Sequence, residues 1–312
     1  MRAVICRELA GVGGLEYVSD WPEPQAGRGE VVVEVKAAAL NFPDLLMIQG
    51  LYQERPPLPF VVGTEMSGVV TAVGEGVTHL AAGDRVVAAC GRALAERVAA
   101  KASLVIPAPR ALGFEAAAGI CITYFTSMYA LKQRARLQAG ETLLVLGAAG
   151  GVGTTAVELG KQMGAVVIAA ASTDAKLDLA RRIGADHVVN YSTQDLRERI
   201  KEITGGKGVD VVYDPVGGVL AEPALRSMAW GGRYLVIGFA GGDIPRIPLN
   251  LPLLKGCSIV GVFWGSFAAR EREVQRRNAV ELWNMFEAGQ LVPVVGETPP
   301  LDDYATALES LA

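Results

Sequence analysis

Short valine-rich runs, in which apolar and polar positions alternate, dominate the chain up to about residue 120. Glycine and proline interrupt these runs, a pattern typical of a small, irregular β-rich domain with few helices. The predicted strands of this part are residues 31–35, 68–73, 85–89 and 104–106.

The period changes between about residue 123 and residue 260, where apolar runs alternate with segments of helical spacing. Such alternation predicts a parallel, doubly wound (Rossmann) sheet with helices between the strands. Beyond it, the pattern predicts a further strand at 258–263 and an amphipathic helix at 271–288. The predicted strands of the sheet are residues 142–147, 165–170, 186–190, 209–213 and 232–237.

The segment Leu291-Val-Pro-Val-Val-Gly is expected to return to the first domain. At 312 residues the chain is long enough for two domains, and we predict an α/β fold in which the first domain is discontinuous. We expect residues 1–122 and 261–312 to form the β-rich domain, and residues 123–260 to form the doubly wound domain inserted in it.

Residues 143–153, Leu-Leu-Val-Leu-Gly-Ala-Ala-Gly-Gly-Val-Gly, predict a buried strand that runs through a glycine-rich turn into a helix. A turn of this kind binds the pyrophosphate of a dinucleotide. Gly150 and Gly151 are expected to let the backbone approach phosphate oxygens that a Cβ would exclude. Val152 follows them where the N–H groups of the helix N-terminus face the anion.

Gly153 is expected to let the same helix pack closely on the strand. The place that the first glycine of G-x-G-x-x-G usually holds is occupied by Ala148, so a purely structural turn is the alternative interpretation. The apolar run from residue 165 to residue 171, reached through a segment of helical spacing, completes a βαβ unit and favours the dinucleotide.

The end of the second strand indicates NADP rather than NAD. An enzyme that prefers NAD usually carries Asp or Glu there for the ribose 2′-hydroxyl, but this chain reads Ala-Ser-Thr at 171–173. Ser172 can bond a 2′-phosphate, and Lys176 can neutralise its charge of about −1.5 to −2. Asp174 is expected to be the N-cap of the next helix, its side chain turned onto backbone N–H groups. A solvated surface lysine is the alternative for Lys176.

Composition narrows the class of protein. The net charge of −4, without any Lys/Arg block, argues against nucleic acid as the main partner. We expect a cytoplasmic protein without a membrane segment, because the N-terminal apolar run is too short for a signal peptide. Four scattered cysteines and two histidines do not supply the ligands of a zinc site.

Several motifs together resemble one family, the zinc-free quinone oxidoreductase (zeta-crystallin-like) branch of the medium-chain dehydrogenase/reductase superfamily. The resemblance extends from Met1 almost to the C-terminus, and it implies a Rossmann domain inserted in a discontinuous GroES-like catalytic domain. The motifs that carry it are Leu40-Asn-Phe-Pro-Asp-Leu, Gly50-Leu-Tyr, Leu58-Pro-Phe-Val-Val-Gly-Thr-Glu-Met-Ser-Gly, Gly83-Asp-Arg-Val, the Ala148 to Gly153 turn and Asp214-Pro-Val-Gly-Gly.

The zinc alcohol dehydrogenases are similar too, but the places of their catalytic histidine and cysteine ligands hold Thr64 and Asn41 or its neighbours. Without a Lewis acid the site does not easily polarise an alcohol. The resemblance therefore implies a metal-free site that transfers hydride from NADPH to an acceptor that is already electron-poor.

Two residues are candidates for catalysis by this resemblance. Asn41 is expected near the nicotinamide ribose or the reacting carbonyl, where its amide can donate to an oxyanion; a loop-capping asparagine is the alternative. Tyr52 lies on the loop that overhangs the cleft in the family, and its phenol is the candidate proton donor. Water as the donor, with Tyr52 merely packing on the prolines that follow, is the alternative.

The resemblance also assigns cofactor contacts. Thr126 matches a threonine whose hydroxyl reaches the nicotinamide amide, although a helix threonine bonded to its own backbone is the common alternative. Tyr191 matches the tyrosine beside the adenosine phosphate and would complete the 2′-phosphate pocket with Ser172 and Lys176. Backbone groups after the fifth and sixth strands would bind the carboxamide, and the residues there are Gly238, Phe239, Phe263, Trp264 and Gly265.

The leading hypothesis is an NADPH-dependent quinone oxidoreductase that reduces a small-molecule quinone or enone. A 2-enoyl thioester reductase is the first alternative; it needs a basic rim for the phosphates of its substrate, for which Arg55 and Arg92 are the visible candidates. A protein that keeps NADPH for a structural or regulatory purpose is the second. The apolar run from Gly256 to Trp264 suits an edge strand that pairs across a two-fold axis, so we expect a homodimer.

Overall fold

The computed structural model describes residues 1–311, which divide into two compact units. Unit 1 contains Met1–Ile122 and residues 292–311, and unit 2 contains Thr123–Leu291. The predicted boundary at residue 260/261 differs from this division, since residues 261–291 group with the parallel sheet and only the chain after Leu291 returns to unit 1. Within the described residues, no helix is both long and apolar enough to cross a membrane.

The strands and helices alternate regularly only in unit 2. The strands are β1 (Ala3–Cys6), β2 (Leu15–Val18), β3 (Glu30–Ala39), β4 (Phe60–Val61), β5 (Glu65–Val73), β6 (Arg85–Ala89), β7 (Arg97–Lys101), β8 (Val105–Pro107), β9 (Thr142–Leu146), β10 (Val166–Ala171), β11 (His187–Asn190), β12 (Val209–Asp214), β13 (Met228–Val236) and β14 (Ser258–Gly261). The helices are α1 (Phe42–Ile48), α2 (Phe114–Ala118), α3 (Ile120–Met128), α4 (Gly151–Gln162), α5 (Asp174–Arg182), α6 (Leu196–Ile203), α7 (Ala221–Arg226), α8 (Asn250–Lys255), α9 (Trp264–Arg270), α10 (Arg272–Glu287) and α11 (Tyr304–Glu309).

Unit 1 is built on two antiparallel sheets. Five strands pair in the order β7-β3-β5-β6-β8, and three in the order β2-β1-β4. Val31, Val33, Met66 and Val70 are all buried in one cluster, because every second residue of β3 and β5 points to the same face. The β-rich domain expected from the alternating pattern is therefore present.

Unit 2 contains a six-stranded parallel sheet in the order β11-β10-β9-β12-β13-β14. Residues 143–146 of β9 are fully buried, as expected for a strand with helices on both faces. Because the strand order reverses direction between β9 and β12, the carboxyl ends of these two strands mark the switch point at which such sheets bind ligands. The predicted doubly wound sheet is confirmed.

Aromatic packing explains why residues 261–291 belong to unit 2. Phe125 of α3 stacks on both Trp264 and Trp283, with 5.8 Å between ring centroids in each pair. Tyr124 meets Phe286 edge to face at 4.9 Å. This cluster buries large apolar rings of α9 and α10 against the helix that precedes the sheet, an attraction that the sequence pattern did not reveal.

Candidate active site

The glycine-rich turn connects β9 to α4 in unit 2. Gly150 is the N-cap of α4, and Gly151, Val152 and Gly153 form its first turn. A Cβ placed on Gly153 would lie 2.2 Å from the carbonyl oxygen of Gly147, so the helix approaches the end of the strand this closely only without a side chain. The expectation that Gly153 permits close packing of helix on strand is confirmed.

Gly147 makes the tight turn, one residue before Ala148, which holds the place of the first glycine of G-x-G-x-x-G. Its φ of 57° lies in the left-handed region, where a side chain is disfavoured, and a Cβ there would lie 2.8 Å from Val216 Cγ2. The backbone therefore turns one residue earlier than the G-x-G-x-x-G spacing predicts. The signal was present in the sequence, because Gly147 directly follows the apolar run.

Gly150 differs from its neighbours because the packing of the chain does not require glycine there. Its φ is −78°, and the nearest atom to an added Cβ is the Gly147 carbonyl oxygen, at an ordinary contact distance of 3.4 Å. Glycine at such a position is expected where a ligand approaches the backbone. No side chain caps α4, and the first N–H groups of a helix lack carbonyl partners within it, so this helix N-terminus can bind an anion.

Helix α3 supports this turn from one side. Ser127 Oγ donates to the carbonyl oxygen of Val152 at 3.1 Å and lies 2.9 Å from the Tyr213 hydroxyl. A Cβ on Gly151 would lie 3.3 Å from Thr123 Cγ2. Thr126 is half-buried on the same helix, one turn after Thr123, so the predicted nicotinamide contact lies on the element that holds the turn.

Ser172, Lys176 and Tyr191 lie near one another at the carboxyl edge of the sheet. The last residues of β10 and β11 pair, and the Tyr191 N–H donates to the Ala171 carbonyl oxygen at 3.1 Å. Ser172 and Tyr191 therefore follow the ends of neighbouring strands, both half-buried, and Lys176 is exposed on the first turn of α5. All three residues therefore follow strands at the carboxyl edge of the sheet.

Asp174 is not the N-cap of α5, contrary to the prediction. Thr173 has extended dihedral angles, and its Oγ1 accepts from the Lys176 N–H at 3.3 Å, so threonine caps the helix. Asp174 is the first helical residue, and its Oδ1 accepts from Asn190 Nδ2 at 2.9 Å. This hydrogen bond joins α5 to β11, and the sequence around Asp174 does not predict it.

The residues after β13 lie close to the chain that follows β12. The Gly238 N–H donates to the Asp214 carbonyl oxygen at 3.4 Å. Phe239 is half-buried, and its ring lies 2.8 Å from a Cβ placed on Gly217, which has a φ of 68°. The backbone at Gly238 and Phe239 is thereby fixed beside β12.

The residues after β14 divide into packed and exposed side chains. Phe263 is 54% exposed and precedes α9, so it does not belong to the core. Trp264 is committed to packing, because its ring stacks on Phe125 and its Nε1 donates to Gln275 Oε1 at 3.1 Å. Gly265 is exposed beside them. Any ligand contact of Trp264 is therefore expected from its backbone.

In unit 1, Asn41 is the N-cap of α1, as the capping alternative proposed. Its backbone N–H donates to Asp44 Oδ2 at 2.8 Å, and Thr64 Oγ1 donates to the same oxygen at 3.2 Å. Asn41 Nδ2 lies 2.9 Å from Glu65 Oε1 and 3.3 Å from Thr64 Oγ1. The N–H groups that we expected to reach an oxyanion are thus engaged inside unit 1.

Two carboxyl groups are buried in this cluster. Burial raises the pKa of Asp44 to about 7, against hydrogen bonds from Asn41 and Thr64 that lower it. Burial likewise raises the pKa of Glu65 to about 8, against hydrogen bonds from Asn41, Ile122 and Cys121. Asp44 Oδ1 has no hydrogen-bond partner among the described residues. Sequence reasoning noted neither carboxyl as a functional group, although both lie in the motifs that carried the resemblance.

Tyr52 lies on the loop after α1 and is half-buried. Burial raises the pKa of its phenol above the usual value of 10, and the charges of Glu54 and Asp44 add to this effect. The phenol therefore keeps its proton throughout the neutral range, as a proton donor must.

Comparisons with known proteins agree with this architecture. A family model described as an alcohol dehydrogenase GroES-like domain matches residues 27–135, and one described as a zinc-binding dehydrogenase matches residues 151–280. Quinone oxidoreductase-like protein 2 of Rattus norvegicus is 38% identical over 297 residues, which cover 95% of this chain and 84% of that protein.

Solved structures superpose along nearly the whole chain. The quinone oxidoreductase of Escherichia coli complexed with NADPH has a TM-score of 0.92 at 33% identity, covering 100% of this chain and 96% of that one. The CurK enoyl reductase has a TM-score of 0.89 at 25% identity, covering 99% and 95%. Chains named for two different reductions thus share this fold.

The residues of unit 1 do not fit the zinc that one family description mentions. Zinc in proteins prefers thiolate and imidazole ligands, whereas Asn41 and Thr64 offer an amide and a hydroxyl. Both groups are already hydrogen-bonded, the amide to Glu65 and the hydroxyl to Asp44. Among residues 1–311, no three His, Cys, Asp or Glu side chains are placed to hold a metal ion.

Two glycine substitutions in the turn should show which glycine the packing of the helix on the strand requires and which it does not. Gly153→Ala places a Cβ 2.2 Å from a backbone oxygen, so we expect a loss of at least about 2 kcal/mol of unfolding free energy. Gly150→Ala is the matched control and should cost no more than about 1 kcal/mol, the usual difference at an N-cap. Urea denaturation measures both, and equal losses would contradict this description of the turn.

Proposed function

Because the chain belongs to the zeta-crystallin-like quinone oxidoreductase branch of the medium-chain dehydrogenase/reductase superfamily, we propose that it is an NADPH-dependent quinone oxidoreductase that works without a metal. The observation that carries the proposal is the turn at Gly150, where glycine is not required by the packing of the chain but suits a backbone approached by pyrophosphate. NADPH, when bound, supplies a hydride from C4 of its nicotinamide.

The residues of unit 2 fit this dinucleotide. The N–H groups of Gly151, Val152 and Gly153 would hold the pyrophosphate at the N-terminus of α4. Ser172, Lys176 and Tyr191 would hold the 2′-phosphate, with Lys176 providing the positive charge. Thr126 and the backbone groups after β13 and β14 would orient the nicotinamide amide; these are Gly238, Phe239, Phe263, Trp264 and Gly265.

Two residues of unit 1 complete the proposal. Reduction of a quinone or enone needs one proton in addition to the hydride, and Tyr52 holds such a proton on its phenol oxygen over the neutral pH range. Asn41 acts by fixing the start of α1, because it is the N-cap and its backbone N–H donates to Asp44. Its side-chain amide is bonded to Glu65 and Thr64. We expect an electron-poor acceptor, since the amide of Asn41 and the hydroxyl of Thr64 do not fit a zinc ion that could activate one.

A second candidate function is 2-enoyl thioester reduction. The similarity to the CurK enoyl reductase favours it, and hydride delivery to an activated double bond uses the same coenzyme chemistry. The two functions differ in their substrates, because an acyl thioester of coenzyme A brings phosphates that require basic residues.

Steady-state oxidation of NADPH with quinones and with crotonyl-CoA, measured side by side, tests the proposed function. We expect turnover with quinones and a kcat/KM for crotonyl-CoA at least about tenfold lower. Tyr52→Phe should reduce kcat about a hundredfold if the phenol gives the proton, and Tyr304→Phe, in the same unit, serves as the matched control. Turnover with crotonyl-CoA alone would favour the second candidate, and binding of NADPH without any turnover would leave a structural or regulatory protein.

The 2′-phosphate pocket gives a separate prediction. Lys176→Ala should raise the Kd for NADPH at least about tenfold, because a charge-assisted hydrogen bond is lost, and leave the Kd for NADH unchanged. Lys201→Ala removes an exposed lysine from α6 and is the matched control. Fluorescence titration with both dinucleotides measures the effect. Equal losses for NADPH and NADH would remove Lys176 from the pocket.

We also propose that the protein is a homodimer formed through β14. This strand lies at the edge of the sheet with one side unpaired, and a second copy can continue the sheet across a two-fold axis. Five large apolar side chains of unit 2 near this edge and the adjoining α8 are exposed, namely Trp230, Leu249, Leu253, Leu254 and Ile259. An apolar patch of this kind is typical of an interface.

Sedimentation velocity tests the dimer. We expect the wild-type chain to sediment as a dimer and Leu253→Glu to sediment as a monomer, because a charge replaces an exposed apolar side chain of the patch. Leu104→Glu makes the same change at an exposed leucine of unit 1 and should leave the dimer intact. A wild-type monomer at working concentration would contradict the proposal.

A further inference from the structure

Glu65 holds the beginning of α3. Its Oε2 accepts from the Ile122 N–H at 2.9 Å, and the backbone of Cys121 also donates to this carboxyl group. Both N–H groups belong to the first turn of α3, which starts after the preceding helix ends at Gly119. The first N–H groups of a helix have no carbonyl partner of their own, so a fully buried side chain from β5 caps this helix.

The later residues of the same helix hold the glycine-rich turn. Thr155 Oγ1 donates to the carbonyl oxygen of Thr123 at 3.2 Å, and Ser127 Oγ donates to that of Val152 at 3.1 Å. Both contacts join α3 to the first turns of α4. Helix α3 is one continuous helix of nine residues, and its first turn bonds Glu65 while its later residues bond α4.

We propose that Glu65 is a positioning residue for the glycine-rich turn, acting through α3. The carboxylate fixes the first turn of α3 by accepting hydrogen bonds from its N–H groups. A fixed first turn restricts the position of the rest of the helix, including Thr123 and Ser127, which contact α4. The proposal concerns the site that the proposed function assigns to NADPH, and it rests on that assignment for its effect on binding. The hydrogen bonds of Glu65 go to Asn41, Cys121 and Ile122, so any effect on the turn is indirect.

Protonation of Glu65 should weaken this cap, because a carboxylic acid accepts hydrogen bonds from N–H groups less strongly than a carboxylate. Burial raises the pKa of Glu65 to about 8, so its charge changes near neutral pH. The titratable groups that face it are Asp44 from α1 and Cys121 from α3 itself. Asp44 titrates near 7, and burial raises the pKa of Cys121 well above its ordinary value, so the thiol stays neutral.

The direction of the pH effect follows. NADPH would bind best when Glu65 is ionised, so binding releases a proton from molecules in which Glu65 is still protonated. The Kd should therefore fall as the pH rises through 8 and become constant once Glu65 is fully ionised, about one pH unit higher. Measurement from pH 7 to 9.5 keeps the 2′-phosphate of NADPH doubly charged throughout.

Hydrogen exchange without any dinucleotide provides the first test. In Glu65→Gln, which keeps the shape of the side chain but not its charge, residues 120–128 and 147–155 should exchange faster than in the wild type. The strands β7 and β8, which lie in the same unit as Glu65 but do not pair with β5, should not change. Faster exchange confined to residues 120–123 would overturn the proposal, because the hold would then not reach the turn.

Dinucleotide affinity provides the second test, by fluorescence titration of NADPH against pH. Glu65→Gln should bind about three- to tenfold more weakly than the wild type at pH 9 and should lose the pH dependence, matching the acid limit of the wild type. Asp44→Asn is the matched control; it should keep the dependence with a lower midpoint, because the charge that raises the Glu65 pKa is gone. An affinity in Glu65→Gln equal to the wild type at every pH would overturn the proposal.

The two tests distinguish the failure of this inference from the failure of the proposed function. If no variant binds NADPH while exchange still spreads from α3 to residues 147–155, the coenzyme assignment is wrong and the positioning role of Glu65 stands. A general loss of stability would lower the unfolding midpoint of Glu65→Gln without removing the pH dependence of Kd, and that result counts against the positioning role.

Discussion

The approach of α4 to the end of β9 is the contact on which the rest of unit 2 depends. Gly153 permits it, because a Cβ there would lie 2.2 Å from the Gly147 carbonyl oxygen. The same closeness sets the first turn of α4 directly beyond the switch point of the sheet, where its N–H groups have no partner in their own helix. A packing requirement between helix and strand therefore places these N–H groups where an anion could bind.

The sequence predicted this arrangement well because its signals are local. The apolar run of β9 and the glycines that follow it lie within eleven residues, and the parallel sheet follows from a regular alternation of periods. The predictions that differ from the structure depend on contacts between distant residues. The Asp174 carboxylate accepts a hydrogen bond from Asn190. Residues 261–291 pack in unit 2 because the rings of Trp264 and Trp283 stack on Phe125. Neither contact leaves a mark in the local pattern.

The cluster around Asn41 shows a different limit of sequence reasoning. Comparison with zinc enzymes drew attention to Asn41 and Thr64 as replaced ligands, and the structure does bring these two side chains together. It also brings Asp44 and Glu65 into the same buried group, where both carboxyl groups accept hydrogen bonds from amide, hydroxyl or backbone N–H groups. The composition of a motif can indicate which side chains lie close together. It does not indicate that burial raises the pKa of two carboxyl groups among them.

Burying a carboxyl group is costly unless hydrogen bonds compensate for it, and Asp44 and Glu65 accept such bonds at the start of α1 and α3. A neutral amide in place of Glu65 would retain one acceptor for Ile122 but would replace the other with a donor facing Asn41 Nδ2. The carboxylate is the side chain of this size that accepts on both sides. It joins two helix beginnings, that of α1 through its cap residue and that of α3 through its own N–H groups. Because α3 continues to Ser127, whose Oγ donates to the carbonyl oxygen of Val152, the proposed effect of Glu65 on α3 would extend to the glycine-rich turn.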